Sequence, residues 1–151
     1  MSGAFPPVAE LVPHEGALLL IDEVLASDDD HIRVVAIVRK ACPFYVHDRG
    51  IPGYLAFEFM AQTISAQDGL ERRKVGQSPQ LGFLLGARKY AVATDWFEDG
   101  ERLEVTARAV LNEGELRAFA CTVSGRGNPG LATALVNVYR PEDPAAFVRD
   151  S

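Results

Sequence analysis

One segment constrains the fold more than any other: residues 52 to 74, which read as a single long helix set between strand patterns. Pro52-Gly53 opens it, because proline at a first helical position gives up only an N–H that the helix leaves unpaired anyway. No further proline interrupts the run, and its first half is apolar nearly all round: Tyr54, Leu55, Phe57, Phe59, Met60, Ala61 and Ile64. That pattern predicts a helix covered on every side. The second half ends Glu71-Arg72-Arg73-Lys74, placing cations at the negative end of the helix dipole.

The remaining segments alternate as strands do. Leu18 to Leu25 and Ile32 to Arg39 flank an Asp28-Asp29-Asp30 turn, and in the second Ile32, Val34, Ala36 and Val38 fall on one face. After the helix come Leu81 to Val92, Leu103 to Leu111, Leu116 to Ser124 and Leu131 to Tyr139. Asn112-Glu113-Gly114 and Gly125 to Gly130 separate the last three with turn chemistry. Short connections imply antiparallel pairing. The order is two strands, one helix, then four strands, an α+β fold whose sheet must curl around its helix. Met1 to Pro7 reads as a loose leader and Pro141 to Ser151 as a short tail ending in a helical turn. With 151 residues and no repeat or linker, the whole chain, 1–151, reads as one domain.

Composition removes several function classes. Hydrophobic residues at 48% and charged residues at 24% exclude a disordered chain. The longest aliphatic run, Ala17 to Ile21, is far too short to span a bilayer, and no basic stretch leads into an apolar one as a signal peptide would. Cys42 and Cys121 lie in apolar surroundings without metal-ligand spacing, so we expect reduced thiols, no metal and a cytoplasmic location. A net charge of −6 argues against nucleic acid as partner. Against that background Arg72, Arg73, Lys74, Arg88 and Lys89 form a basic cluster suited to an acidic partner.

Glu58 is the residue that bears chemistry. It sits between Phe57 and Phe59 in the apolar half of the helix, where burial disfavours its charged form. A carboxyl that holds its proton can donate it to a leaving oxygen as a general acid. Glu58, Gln62 and Ser65 fall at i, i+4 and i+7, one polar stripe on an apolar helix. The alternative is a structural carboxylate that hydrogen-bonds Gln62 or backbone, or that reaches an unseen surface.

Pro52-Gly53, four residues, then Glu58-Phe59-Met60-Ala61-Gln62 resembles the β-hydroxyacyl-acyl carrier protein dehydratases. Val12-Pro13-His14 with Leu18-Leu19-Leu20-Ile21-Asp22 resembles that family's N-terminal motif, and Gly86-Ala87-Arg88-Lys89 with Asp99-Gly100 resembles its strand and turn after the helix. The resemblance is closest to the dehydratase-like proteins of aryl polyene gene clusters. It implies a hot-dog fold, an antiparallel sheet wrapped around a long central helix, and a dimer. It further implies Glu58 as catalytic carboxylate, the Gly53 N–H as the donor that polarises the thioester carbonyl, and Gln62 as supporting hydrogen-bonder. The substrate would ride on the phosphopantetheine of an acyl carrier protein, with no other cofactor.

One departure is plain. The family carries its base in a Gly-His-Phe-Pro-Gly element fourteen residues before the carboxylate, and here that position is Phe44. His47, eleven residues before Glu58, is either the base or a loop histidine without a role. His14 matches a family histidine that is not the base, and His31 reads as surface. The expected activity is dehydration of 3-hydroxyacyl thioesters to 2-enoyl thioesters in fatty-acid or polyene biosynthesis. It is carried out by a homodimer, or by a heterodimer with a histidine-bearing hot-dog partner. The alternatives are a hot-dog thioesterase and a silent subunit that completes a partner's site.

Overall fold

The computed structural model describes residues 5–13, 16–77 and 83–140. His14, Leu81-Gly82 at the expected strand start, the first four residues of the leader and the tail from Pro141 lie outside the described residues. The strands are β1 (Glu23–Ser27), β2 (His31–Ile37), β3 (Ile51–Pro52), β4 (Phe83–Val92), β5 (Trp96–Phe97), β6 (Arg102–Glu113), β7 (Leu116–Gly125) and β8 (Asn128–Tyr139). The one α-helix among the described residues is α1 (Ala56–Lys74). Six strands form an antiparallel sheet in the order β1-β2-β6-β7-β8-β4, and β3 pairs with β5 alone. The sheet lays β2, β6 and β7 against α1. This is the expected α+β hot-dog architecture.

Alternation decides which side chains meet the helix. In β6, Leu103, Val105 and Ala107 are buried while Glu104, Thr106 and Arg108 are not. Ile32, Val34 and Ala36 of β2 and Val123 of β7 join them under Phe59 and Met60. Phe59 meets Phe97 edge to face, with centroids 5.7 Å apart. Removing such side chains from water is worth about 1.5–3 kcal/mol each.

The sequence patterns placed some boundaries differently. Leu18 closes a 3-10 turn (Gly16–Leu18) and residues 19–22 lie outside any strand, so β1 begins only at Glu23. The last hairpin is tighter than expected: Gly125 pairs with Asn128 across Arg126-Gly127, at φ +53° and +72°. Positive φ at both central residues is the two-residue turn whose twist matches the strands it joins. His31 opens β2 half-buried rather than on the surface.

The N-terminal segment forms a strap running antiparallel along α1. Glu10 pairs with Arg73 at 3.1 Å. The Leu11 backbone occupies the space that a Cβ at Gly69 would need. Further along, Leu18 and Leu20 bond Gln62. Leu11, Val12, Leu20 and Ile21 of this segment are buried.

Candidate active site

The helix opens through a short relay of backbone contacts. Ile51 and Pro52 pair with Phe97 and Trp96. Gly53 to Leu55 form a 3-10 turn, and only then does α1 begin, at Ala56 rather than Pro52. Gly53 packs so closely on the Thr94 carbonyl that any side chain there would clash. Its N–H donates to the Asp95 carbonyl at 2.8 Å. The N–H expected to polarise a thioester is therefore already engaged, because the β3–β5 pairing continues one residue past Pro52. The next N–H along belongs to Tyr54, a residue exposed over 70% of its surface.

Glu58 lies in the first turn of α1 and is half-buried. The expectation of a helix covered on every side fails within one chain. Tyr54, Phe57, Glu58, Ala61, Ser65 and Asp68 keep solvent contact, and their spacing puts them on one stripe. The sheet and strap cover the rest of the circumference.

Gln62 supplies what holds Glu58. Gln62 is 0% exposed, and its Nε2 donates to Glu58 Oε1 at 3.0 Å and to the Leu18 carbonyl at 2.8 Å. Its Oε1 accepts from the Leu20 N–H at 2.8 Å. Both amide hydrogens are used, so the side chain has one orientation, set by strap backbone, and passes it to the carboxylate. One turn later Gln67 does similar structural work, accepting from Ser27 Oγ and donating to the Asp28 carbonyl, each at 2.8 Å. Sequence reasoning did not single out Gln67. A second amide at i+5 on the same helix was the available signal.

His47 stands apart from this arrangement. It lies on a tight turn closed by reciprocal bonds between Val46 and Gly50, with Asp48 at φ +63°. Its side chain is 95% exposed and contacts its neighbour Asp48 at 3.2 Å. A side chain that open does not touch Glu58 of its own chain.

The basic cluster also divides. Arg72 is buried against Asp68 at 2.7 Å, and Arg73 is paired with Glu10. Arg140 and Arg117 close the same network on Asp68 and Glu71. Arg88 and Lys89 lie exposed on β4, close in sequence to Tyr90, which bonds the turn at the opposite end of α1. Only this pair neighbours Glu58's end of the helix.

A cleft of about 210 Å³ opens between the strap, β2 and the helix, lined by Leu19, Leu20, Ile37, Ile51 and Phe59 with Arg39 and Cys42. It lies on the buried side of α1 and does not include Glu58. Among the described residues no three His, Cys, Asp or Glu side chains converge as a metal site, and no helix is long and apolar enough to cross a membrane.

Comparison with known proteins places this geometry. The family model for ApeP-like proteins, described as ApeP dehydratase, matches residues 6–149. The 3-hydroxyacyl-[acyl-carrier-protein] dehydratase FabZ of Streptococcus uberis is 31% identical over 113 residues, covering 72% of this chain and 78% of the relative. The FabZ of Streptococcus pyogenes is 31% identical over 109 residues, covering 70% and 76%. Among solved structures, the dehydratase heterocomplex ApeI:P from Xenorhabdus doucetiae matches with a TM-score of 0.87 at 28% identity, covering 96% of this chain and 97% of that one. A hypothetical thioesterase from Streptococcus pneumoniae, solved with coenzyme A, matches at a TM-score of 0.58 and 15% identity over 78% and 83% of the chains, a likeness of fold alone.

Proposed function

This chain belongs to the ApeP-like dehydratase family, and on that premise we propose how its residues share the reaction. The protein is a 3-hydroxyacyl-acyl carrier protein dehydratase-like lyase that converts 3-hydroxyacyl thioesters to 2-enoyl thioesters in fatty-acid or polyene biosynthesis. A base removes a proton from C2, electron density moves onto the thioester oxygen, and the C3 hydroxyl leaves as water once an acid protonates it. Glu58 is that acid, and Gln62 orients it. With the Gly53 N–H committed to Asp95, the donor to the thioester oxygen is the Tyr54 N–H, at the positive end of the helix where developing negative charge is stabilised.

The base comes from another chain. Glu58 sits on a stripe of α1 that keeps solvent contact, and His47 of the same chain is 95% exposed on a separate turn beside Asp48. The solved relative ApeI:P is a heterocomplex, and we assign this chain the carboxylate half of a heterodimer whose hot-dog partner supplies the histidine. The acyl group arrives on the phosphopantetheine of an acyl carrier protein, and no metal or other cofactor is needed for this chemistry.

The carrying observation is the pairing of an oriented, half-open Glu58 with a solvent-turned His47. The test is to assay the chain alone and with histidine-bearing hot-dog proteins from its gene neighbourhood. Loss of a general base or acid costs roughly 10²–10⁴-fold. The lone chain should be slow by about that factor, and Glu58→Gln should lower the complex's rate by 10²-fold or more with circular dichroism unchanged. Full activity of the lone chain that His47→Ala abolishes would replace the heterodimer with a homodimer using His47 across its interface. A free acid as product instead of an enoyl thioester would mean thioesterase chemistry.

A further inference from the structure

The turn that opens α1 is held from outside the helix. Leu55 at the helix N-cap makes no side-chain cap, and neither does Pro52 ahead of the 3-10 turn. Uncapped first-turn N–H groups need partners elsewhere. Here the partner comes from the edge strand β4. The Tyr90 hydroxyl accepts the Phe57 N–H at 3.2 Å and donates its own hydrogen to the Tyr54 carbonyl at 2.8 Å. The Tyr90 ring meets Phe57 edge-on, with centroids 5.9 Å apart and planes at 69°.

Two backbone irregularities aim this side chain. The β4–β8 ladder shifts register between Arg88 and Ala91, and Lys89, immediately before Tyr90, sits at φ +54°. A bulge re-aims side chains out of the regular alternation of a strand. A non-glycine residue in the left-handed region is held there by its surroundings rather than by its own preference. Tyr90 thus reaches the helix because the strand is bent to deliver it. Partial burial raises the hydroxyl above the ordinary phenol range; at neutral pH a phenol is protonated in either case, so the donor bond is available.

We propose that Tyr90 is a positioning residue for the dehydration: its hydroxyl fixes the Tyr54-to-Phe57 turn so that the Tyr54 N–H and the Glu58 carboxyl converge on one substrate. The proposal rests on the dehydratase reading above. Phe57 and Glu58 are consecutive, and the clamp's other end is the residue whose N–H faces the thioester. Rotation of this turn moves donor and acid relative to each other.

The experiment is Tyr90→Phe, which keeps the ring contact and deletes both hydrogen bonds, assayed in the full chain with its hot-dog partner on 3-hydroxybutyryl-acyl carrier protein. Misplacement of reacting groups by about 1 Å costs up to roughly 10²-fold. We expect kcat to fall ten- to a hundredfold, KM to stay nearly constant, and the Phe57 amide to exchange its hydrogen faster. A purely structural tyrosine would lower the melting temperature and leave kcat per folded site unchanged. That result, or an unchanged Phe57 exchange rate, overturns the proposal while the wild-type complex still dehydrates the probe. Failure of the wild-type complex itself to form enoyl product overturns the dehydratase reading, and the role of Tyr90 with it.

Discussion

Replacing Gln62 with leucine tests the link between strap, helix and acid. Leucine fills the apolar volume, but it strands the groups that Gln62 bonds. The Leu20 N–H is buried and has its bond at 2.8 Å to Gln62 Oε1; leaving such a donor unpaired costs about 1–3 kcal/mol. The Leu18 carbonyl belongs to a residue that is half exposed, so water relieves it and its loss costs about 1 kcal/mol. Together the change is about 2–4 kcal/mol, against a total stability of about 5–15 kcal/mol. For a chain this long each kcal/mol moves the melting temperature by about 2–4 °C, so a fall of about 4–16 °C follows. Urea unfolding measures this directly: the midpoint should move with an unchanged slope. The folded fraction of Gln62→Leu should also lose turnover, since Glu58 no longer has its donor at 3.0 Å. Stability within about 0.5 kcal/mol of wild type, smaller than one lost buried hydrogen bond, would show that apolar burial alone seats the strap and would remove Gln62 from the chain of positioning.

Three further outcomes follow from charge and burial. Charge reversal at Arg88 and Lys89 should weaken binding of an acyl carrier protein in a salt-dependent way, over a Debye length of about 8 Å at physiological ionic strength, and reversal at Arg73, which already pairs with Glu10, should change it little. Equal effects, by titration calorimetry at two salt concentrations, would move the docking face away from β4. Burial pushes the Cys121 thiol up to about 12 from an ordinary 9.0, so the unfolded chain releases that proton first as pH rises. The thiol's contribution to stability is intact below about 9 and is lost progressively toward 12. In native protein iodoacetamide should modify half-buried Cys42 and spare Cys121, and rapid labelling of both at pH 8 would contradict this.

The strands were legible wherever alternation had room to repeat. β6 carries Leu103, Val105 and Ala107 on its buried face as period two demands. Ile51-Pro52 and Trp96-Phe97 were invisible because a two-residue pairing has no period, yet they set the helix start and occupy the Gly53 N–H. Leu18 to Asp22 looked like a strand because its residues are apolar. Its Leu18 and Leu20 backbone is instead tied to the Gln62 side chain, and Asp22 bonds β2; the Leu20–Gln62 contact joins residues 42 positions apart, which no local pattern encodes. The site divides the same way. Glu58 announced itself as a carboxylate among aromatics, and its bond to Gln62 followed from i, i+4 spacing. The open stripe could not be read, because apolar composition marks a surface as destined for burial without saying whether the same chain covers it. Tyr90 was hidden by its strand: the register shift after Arg88 and the positive φ of Lys89 turn it toward the helix, and neither an arginine nor a lysine gives warning of that.

The strap has a consequence for the order of events at the ribosome. Leu11, Val12, Leu20 and Ile21 are synthesised well before the helix that covers them; Gln62 follows Leu20 by 42 residues and Arg73 follows Glu10 by 63. At about 5–20 residues per second that first delay is on the order of two to eight seconds. For that interval the nascent chain presents sticky aliphatic residues with nowhere to settle, and its landing site at Gly69 does not yet exist. A run of slow codons between the strap and the end of α1 would prolong that exposure, whereas a pause just after Lys74 would let the helix form while the N-terminal segment is still close at hand.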